Sequence, residues 1–510
     1  MTTATVMPLR PVRKLIPLIP DTDLSRLIAE GYALAAAEPL ILEMIDRDRD
    51  TYALAKKKAR LEDHAWAMAR GIALNGFDVT EDKSWATDLE LAPGRPRMPA
   101  ILVLTFILCR VYYGGFKNRE TAAMLAESRT LEIVLANLGL RMPGASTIIE
   151  NGNAVRPATL EFIVDAQIRQ ALREALDDFK KLTFDSTKVE ANSTFPTDSG
   201  LIMGLAVRAE HMLRLLADHG ITLRLPAAMD EILKTIKVLH KEIQLSSGKK
   251  NSAKRRAKLY RRQMRMARTA RKELAKAHER AETKLSKLNV QPSKRLAVMT
   301  LIEWIDVDVK NLAIAITNAD KRINRNEKVP AREKIVSLSD QDAAMIVKGE
   351  REPVVGYKPQ IGRSENGFVT AIIVPAGNAA DSGQLRTVVD AALKRTGIIP
   401  TVLSFDDGYT NAADRAYYLG LKIDVVSFSG SKGKNIIPSA EYDSQPYKDA
   451  RNDRSAIESM MFTLKHNHDL DRVMRRGIDN VRSELLEKAI AYNFRRLITL
   501  RQRRKLKTAA

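Results

Sequence analysis

Between a strand-like segment at Lys181 to Asp185 and a mixed α/β pattern that begins near residue 335, the chain carries a long stretch that reads only as helix. Met229, Ile232, Ile236, Leu239 and Ile243 fall on one heptad seam. After a break at Ser246-Ser-Gly-Lys, residues Ala253, Ala257, Tyr260, Met264, Ala267 and Leu274 continue at three- and four-residue spacing. This predicts an antiparallel helical hairpin. A chain that begins a sheet, leaves it for helices and then resumes it must fold as a discontinuous α/β domain with an insertion.

The second arm of that hairpin is intensely basic. Lys254, Lys258, Arg261, Arg265, Arg268 and Lys272 form one stripe, flanked by Arg255, Arg262 and Arg271. So many like charges repel one another unless an anion relieves them. The stripe is expected to track a phosphate backbone without reading sequence. The formal net charge of +21 also points to a polyanionic partner. An anionic membrane is the weaker choice. The longest mostly apolar run, Ala100 to Cys109, is too short to span a bilayer and reads as a buried helix. Arg10, Arg13 and Lys14 near the start are not followed by an apolar signal core. One cysteine, Cys109, excludes an internal disulfide framework and any multi-cysteine zinc module. His466 and His468 are the only close histidine pair and read as surface polar residues. A cytoplasmic, nucleoid-associated protein is expected.

Residues 1–175 read as a helical N-terminal domain. Asp23 to Glu38, Tyr52 to Ile72 and Ala100 to Tyr113 are helix-like, broken by Pro39, Gly76 and Pro93-Gly-Arg-Pro96. Two short helices follow, at Asn118 to Glu127 and Leu131 to Leu138. A turn at Pro143 to Thr147 with a hydroxyl cap then leads into Ile148 to Val155. Two readings of 118–155 stand. It is a helix-turn-helix that docks in a DNA groove, or a helical packing element that touches no base.

The remaining boundaries fall at 176–200 for the first core strand, 201–295 for the basic hairpin, 296–480 for the rest of the core, and 481–510 for a basic C-terminal helix. Thr183, Asp185 and Thr187 share one strand face, and Asp198-Ser199 reads as the cap of the next helix. Further on, Pro353 to Ile361 and Gly367 to Val374 are strands joined by a hairpin turn at Arg363 to Gly367. Asp381 to Lys394 is a helix. Pro400 to Asp406 is a strand with Val402, Ser404 and Asp406 on one face, and Leu421 to Ser427 is a fifth strand. The loop Ser429 to Lys434 lacks the glycine spacing of a phosphate loop.

The helix Arg454 to Lys465 closes the set. Glu458 and Lys465 follow Arg454 by four and eleven residues, which places all three on one face beside an apolar stripe of Ile457, Met460 and Leu464. A carboxylate between two cations suits phosphate chemistry, and equally a solvated helix face with an internal salt bridge. Two strand-ending acids upstream favour the chemistry. The element order is that of a ribonuclease-H-like fold with a mixed sheet, interrupted after its first strand. There the first and fourth strands are neighbours, so Asp185 and Asp406 would lie side by side with Glu458 near them. Three converging carboxylates require cations, and hard oxygen donors favour Mg²⁺ or Mn²⁺, two ions in the phosphodiester chemistry that such a site supports.

At these residues the chain resembles the DDE transposases of bacterial insertion sequences, and is similar to the group labelled ISNCY. The resemblance runs through most of the chain after about residue 115. It is carried by Phe-Asp185-Ser-Thr-Lys-Val-Glu-Ala-Asn with Pro-Thr-Asp198-Ser, and by Val355-Gly-Tyr-Lys-Pro-Gln360. Pro375-Ala-Gly-Asn-Ala-Ala-Asp381, Asp406-Asp-Gly-Tyr409 and Arg454-x3-Glu458-x6-Lys465 complete it. It implies that Asp185, Asp406 and Glu458 are the metal-binding catalytic triad, and that Arg454 and Lys465 handle a DNA phosphate. Related families place a Tyr three residues before the Arg; this chain has Arg451 there. Asp407 would point away from Asp406 by strand alternation. Glu190, Asp198 and Asp381 read as hydrogen-bonding or capping residues, and Lys358 as a phosphate contact or a structural residue. The expected partners are double-stranded DNA, as terminal inverted repeats and target, and further copies of the chain. The expected activity is metal-dependent cleavage and strand transfer. A catalytically silent DNA-binding or architectural protein, and a ribonuclease-H-like nuclease without strand transfer, are the alternatives.

Overall fold

The structure is a computed structural model that describes residues 22–70, 97–112, 123, 125, 127–137, 139–193, 196–246, 252–330, 333–347 and 352–509. It divides into two compact units. One draws on residues 1–51, 95–192 and 342–510, the other on 52–94 and 193–341.

The first unit holds every described strand: β1 (Lys181–Ser186), β2 (Val189–Glu190), β3 (Ala344–Ile346), β4 (Val354–Tyr357), β5 (Gln360–Ser364), β6 (Val369–Ile373), β7 (Val402–Asp406) and β8 (Val425–Ser429). Five form a mixed sheet in the order β6-β5-β1-β7-β8. β1 runs antiparallel to β5 and parallel to β7, and β7 runs parallel to β8. β1 is thus the central strand, and its Leu182, Thr183 and Phe184 are all buried. Leu182, Phe184, Leu403, Phe405, Val426 and Phe428 build one core face, closed by Leu385, Val388 and Val389 of the helix Leu385–Thr396.

The expected strand Pro353 to Ile361 is two strands in two sheets. β4 pairs with β2 and β3, whereas β5 pairs with β1 and β6. Lys358-Pro359 separates them, and a proline cannot donate to a sheet ladder. At Gly356 an added Cβ would stand 1.9 Å from the Val189 carbonyl oxygen, so only glycine allows β2 and β4 to approach this closely. The hairpin turn forms, with Gly367 at φ +88°. The fifth strand lies later than expected, at Val425–Ser429, because Ala412–Gly420 is helical and Lys422 turns the chain at φ +64°. Ser429 to Lys434 is not a loop: Ser431–Ile436 is a short helix.

Among the described residues, the N-terminal segments 22–51 and 97–175 fall in the same unit as the sheet. Residues 100–111 of the helix Ala100–Tyr112 are all buried. Gln167, on the helix Pro157–Arg173, donates to the Ile490 carbonyl at 2.9 Å. That carbonyl belongs to the long helix Ile478–Ala509, so the C-terminal helix is part of the core as well. Val481, Leu485, Ile490 and Phe494 are buried along it, and only its last turns carry exposed Arg503, Arg504, Lys505 and Lys507. The expected helix at 118–127 falls largely outside the described residues. The hydroxyl cap expected at Ser146-Thr147 is absent: the helix Ala145–Ala154 starts after Gly144 with no side-chain cap. No described helix is long and apolar enough to cross a membrane.

The second unit packs the helices Asp198–Asp218, Met229–Leu245, Ala253–Ser286 and Pro292–Asn324 around one apolar core. Met229, Ile236, Leu239 and Ile243 are buried on one arm and Tyr260, Met264, Ala267 and Leu274 on the next, as the seam predicts, whereas Ile232 is only half-buried with Leu233 buried in its place, Ala257 is half-buried and Ala253 is exposed. The insertion does not end at 295. Ile302, Ile305, Leu312 and Ile316 of Pro292–Asn324 belong to the same core, and Arg208 donates to Asp308 within it at 2.6 Å. The cap of Asp198–Asp218 is Thr197, one residue earlier than expected, whose hydroxyl accepts the Gly200 N–H at 3.0 Å. Asp198 instead pairs with Arg322 at 3.0 Å.

Candidate active site

β1 and β7 lie side by side, with Phe184 opposite Phe405. Side chains alternate along a strand. The next residue of each, Asp185 and Asp406, therefore emerges on the face opposite the Phe184 and Phe405 rings, which stack at 5.3 Å between centroids. The Ser186 N–H donates to Asp185 at 2.7 Å, and the Ser429 hydroxyl donates to Asp406 at 3.4 Å.

The same face carries Ser404, whose hydroxyl donates to the Ala450 carbonyl at 2.8 Å. That bond lays the helix Gln445–Asp453 against the sheet beside the two acids. The chain then passes through Arg454 into the helix Ser455–His468, which buries Ile457, Met460 and Leu464 as the apolar stripe requires. Arg454 is the N-cap residue rather than a residue of the helix itself. From there its guanidinium donates to Glu458 at 2.8 Å and lies 3.8 Å from Asp185. Asp185 and Arg454 are mostly buried, but the Glu458 side chain is 61% exposed.

Lys465 does not join this group. It pairs with Asp471 at 3.2 Å, beyond the end of its own helix. Seven residues separate it from Glu458, about two turns and roughly 10 Å of rise. Arg451, at the position of the family's Tyr, lays its guanidinium over the Tyr442 ring at 5.0 Å.

Asp407 turns away from Asp406. Its carboxylate accepts the backbone N–H groups of Gly433 at 3.0 Å and Lys432 at 3.3 Å, in the first turn of Ser431–Ile436. Gly430 makes room for it at φ +115°, where a Cβ would stand 2.7 Å from the Asp407 carboxyl carbon. Lys358 and Asp381 pair with each other at 2.9 Å, and Lys358 also donates to the Ala379 carbonyl at 3.3 Å, a structural use of both.

Two residues of this neighbourhood have no role assigned from the sequence. Gln360 donates to Asp381 at 3.1 Å and accepts the Tyr409 hydroxyl. Burial raises the Tyr409 phenol well above its ordinary value, and the charges of Asp381, Asp185 and Asp406 add to that. A phenol locked in its neutral form beneath the acids supports the floor of the site. Both residues lie within the quoted motifs, Val355 to Gln360 and Asp406 to Tyr409, and that was the signal available.

Three carboxylates on three elements offer only oxygen donors, the chemistry of Mg²⁺ or Mn²⁺. Arg454 already places one cation between two of them. The donor set fits a divalent ion, although among the described residues no three acids, histidines or cysteines are gathered closely enough to hold one.

The six residues of the basic stripe, Lys254, Lys258, Arg261, Arg265, Arg268 and Lys272, are all exposed on the helix Ala253–Ser286. Arg261 donates to Asn324 at 2.9 Å and Arg268 lies 3.5 Å from Asp320. His468 is not a surface residue. It is buried edge-on to Tyr492, and desolvation, with Arg495 and Lys488 nearby, pushes its pKa down to about 3. His466 stays exposed, with its ring 4.1 Å from that of Phe462.

No curated protein and no solved structure matches the chain. A family model described as a transposase DDE domain matches residues 305–494, a span that begins after Asp185 and contains Asp406 and Glu458. This match supports transposase function for the chain.

Proposed function

We propose that the chain is a metal-dependent DNA transposase of an insertion sequence of the ISNCY kind, which cuts the element's ends and joins them to target DNA. The observation that carries this reading is the parallel pairing of β1 with β7, which sets Asp185 beside Asp406 while Arg454 spans Asp185 and Glu458. The sheet order β6-β5-β1-β7-β8, antiparallel on one side of β1 and parallel on the other, supports a ribonuclease-H-like core.

Asp185, Asp406 and Glu458 hold the divalent ions in this proposal. Two such ions, held by these three carboxylates, would supply Lewis-acid stabilisation of the attacking and leaving oxygens. Arg454 balances Asp185 and Glu458 and would offer further guanidinium donors to the scissile phosphate. Lys465 approaches the same strand from the far end of the helix. The basic stripe holds duplex through its phosphates, and copies of the chain assemble on paired element ends. Such a protein works at the nucleoid, in the cytoplasm.

The test is cleavage of a terminal-repeat duplex in Mg²⁺ by Asp185→Asn, Asp406→Asn and Glu458→Gln. Each variant removes a charged ligand without removing bulk. Cleavage is expected to fall at least about 1000-fold, on the scale at which enzymes depend on such charge stabilisation, while end binding stays within a fewfold of wild type. A wild-type rate in any one variant removes that residue from the triad. The pairing of Glu458 with Arg454 also favours a second reading, a DNA-binding protein that has lost catalysis. A wild-type protein that binds the ends but cuts nothing in Mg²⁺ or Mn²⁺ would select it.

A further inference from the structure

In the α/β unit, a cleft of about 450 Å³ opens between Arg110, Arg156 and the turn Arg475-Arg476 before the helix Ile478–Ala509. None of these residues belongs to the site above. Arg110 lies on the buried helix Ala100–Tyr112, and its side chain is only 9% exposed. Burying a guanidinium costs several kcal/mol unless its charge and donors are all met. Here they are not. Arg110 pairs with Glu487, but its Nε has no acceptor.

Glu487 cannot balance the cleft, because it is shared. Arg475 donates to the same Glu487 oxygen at 2.8 Å. The other wall carboxylate, Glu484, is consumed by the backbone N–H groups of Met474 and Arg475, at 3.0 and 2.9 Å, and by Lys488 at 3.0 Å. At the rim stand Arg156 and Arg476, both exposed, with Asp479 as the acid there. Four arginines, Arg110, Arg156, Arg475 and Arg476, thus line the cleft against two carboxylates, Asp479 and Glu484. Arg476 donates its Nε to the Asn192 carbonyl at 3.2 Å and also lines the cleft. Among the described residues no carboxylate pairs with Arg156.

We propose that this cleft is a phosphate-binding site, in which Arg110, Arg156, Arg475 and Arg476 seat one backbone phosphate of bound DNA. Guanidinium forks match phosphate oxygens two at a time. A phosphate brings the negative charge that a cleft lined by four arginines and two carboxylates lacks. The choice of DNA as the source rests on the transposase reading; the anion chemistry does not.

The experiment uses the full chain and the double variant Arg156→Gln/Arg476→Gln, whose side chains lie outside the core, so folding is expected to survive by circular dichroism. Binding to a terminal-repeat duplex and to an unrelated duplex is titrated over a salt series. The variant is expected to bind both about tenfold more weakly at low salt. Its slope of log affinity against log salt should be shallower by roughly one unit, one phosphate contact. In parallel, thermal unfolding is compared in inorganic phosphate and in chloride of equal ionic strength. Phosphate should raise the wild-type melting temperature by a few degrees and leave the variant's unchanged, since only a filled site stabilises. An unchanged slope with phosphate protection lost assigns the cleft to free phosphate and overturns the DNA source. No difference in either arm overturns the site. A wild type that cuts no DNA, with a slope that still falls in the variant, sinks the transposase reading and keeps the cleft.

Discussion

The guanidinium of Arg454 reaches Glu458 across one helical turn at 2.8 Å, and the same group lies 3.8 Å from Asp185 on the sheet. One cation therefore ties an exposed carboxylate to a mostly buried one. Replacing Arg454 with Ala should lower cleavage at least about tenfold, since it removes charge that the reacting phosphate would otherwise meet. The contact to Glu458, whose side chain is 61% exposed, contributes about 1 kcal/mol or less, while mostly buried Asp185 loses its cation, so the melting temperature should fall by several degrees with the fold retained. Lys465→Ala, which breaks only the pair with half-exposed Asp471, should be milder on cleavage. A loss of folding in Arg454→Ala that matches its loss of activity would make the group structural.

Asp407 provides the internal control for Asp406. Its carboxylate accepts the N–H groups of Gly433 and Lys432, so Asp407→Asn keeps one acceptor and loses the other. Loss of such a cap costs about 1 kcal/mol. The denaturant midpoint should fall accordingly, while the cleavage rate at saturating DNA stays within a fewfold of wild type. If cleavage collapses with the fold intact, the two adjacent acids have been assigned the wrong way round.

For the basic stripe, Lys258, Arg261, Arg265 and Arg268 replaced together by Gln should weaken binding to any duplex. The salt dependence should flatten by up to about four units of slope. Tyr260, Met264 and Ala267 on the buried side are untouched, so helicity should persist. The lost Arg268–Asp320 contact is more than half exposed on the arginine side and costs about 1 kcal/mol or less. An unchanged slope would mean that the stripe meets no DNA, and light scattering would then ask whether it meets another copy of the chain.

The buried His468 makes stability depend on pH. Its folded pKa of about 3 lies below the unfolded value of 6.5, so the unfolded chain takes up the proton first as pH falls. Stability should be full above pH about 6.5 and decline below it, at roughly 1.4 kcal/mol per pH unit, until pH about 3. Urea midpoints measured between pH 8 and 4 check this. His468→Phe, which cannot take the proton, should flatten the profile.

What the sequence made legible follows periodicity. The heptad seam of Met229 to Ile243, the apolar stripe of Ile457 to Leu464 and the alternation through Phe184-Asp185 and Phe405-Asp406 each depend on spacing alone, and each has its expected partner. What stayed hidden depends on groups distant in sequence. Pro359 ends one strand and lets the next change sheets, which the apolar run conceals. Lys465 shares a helix face with Glu458 by spacing, yet Asp471, past the helix end, captures it. His468 looked polar and exposed, and Tyr492 and the last helix bury it. Gln360 and Tyr409 meet across the fold and carry no local pattern. The Arg110 cleft is built from three segments that no spacing relates.

β1 is synthesised long before either strand that flanks it. Leu182 pairs with Ser364 on one side and with Leu403 on the other, and the whole helical insertion lies between. On the ribosome the four insertion helices, which share one apolar core, emerge while β1 waits with both backbone edges open. An unpaired apolar strand is a template for wrong pairing. Termination before residue 360 would leave both of its edges open, and termination before residue 402 would leave the β7 edge open. The order in which the chain emerges thus places the last strand of the candidate site, and with it Asp406, Arg454 and Glu458, under the control of nearly complete translation. In the proposed reading, a truncated product would carry the basic stripe without the acids that cut.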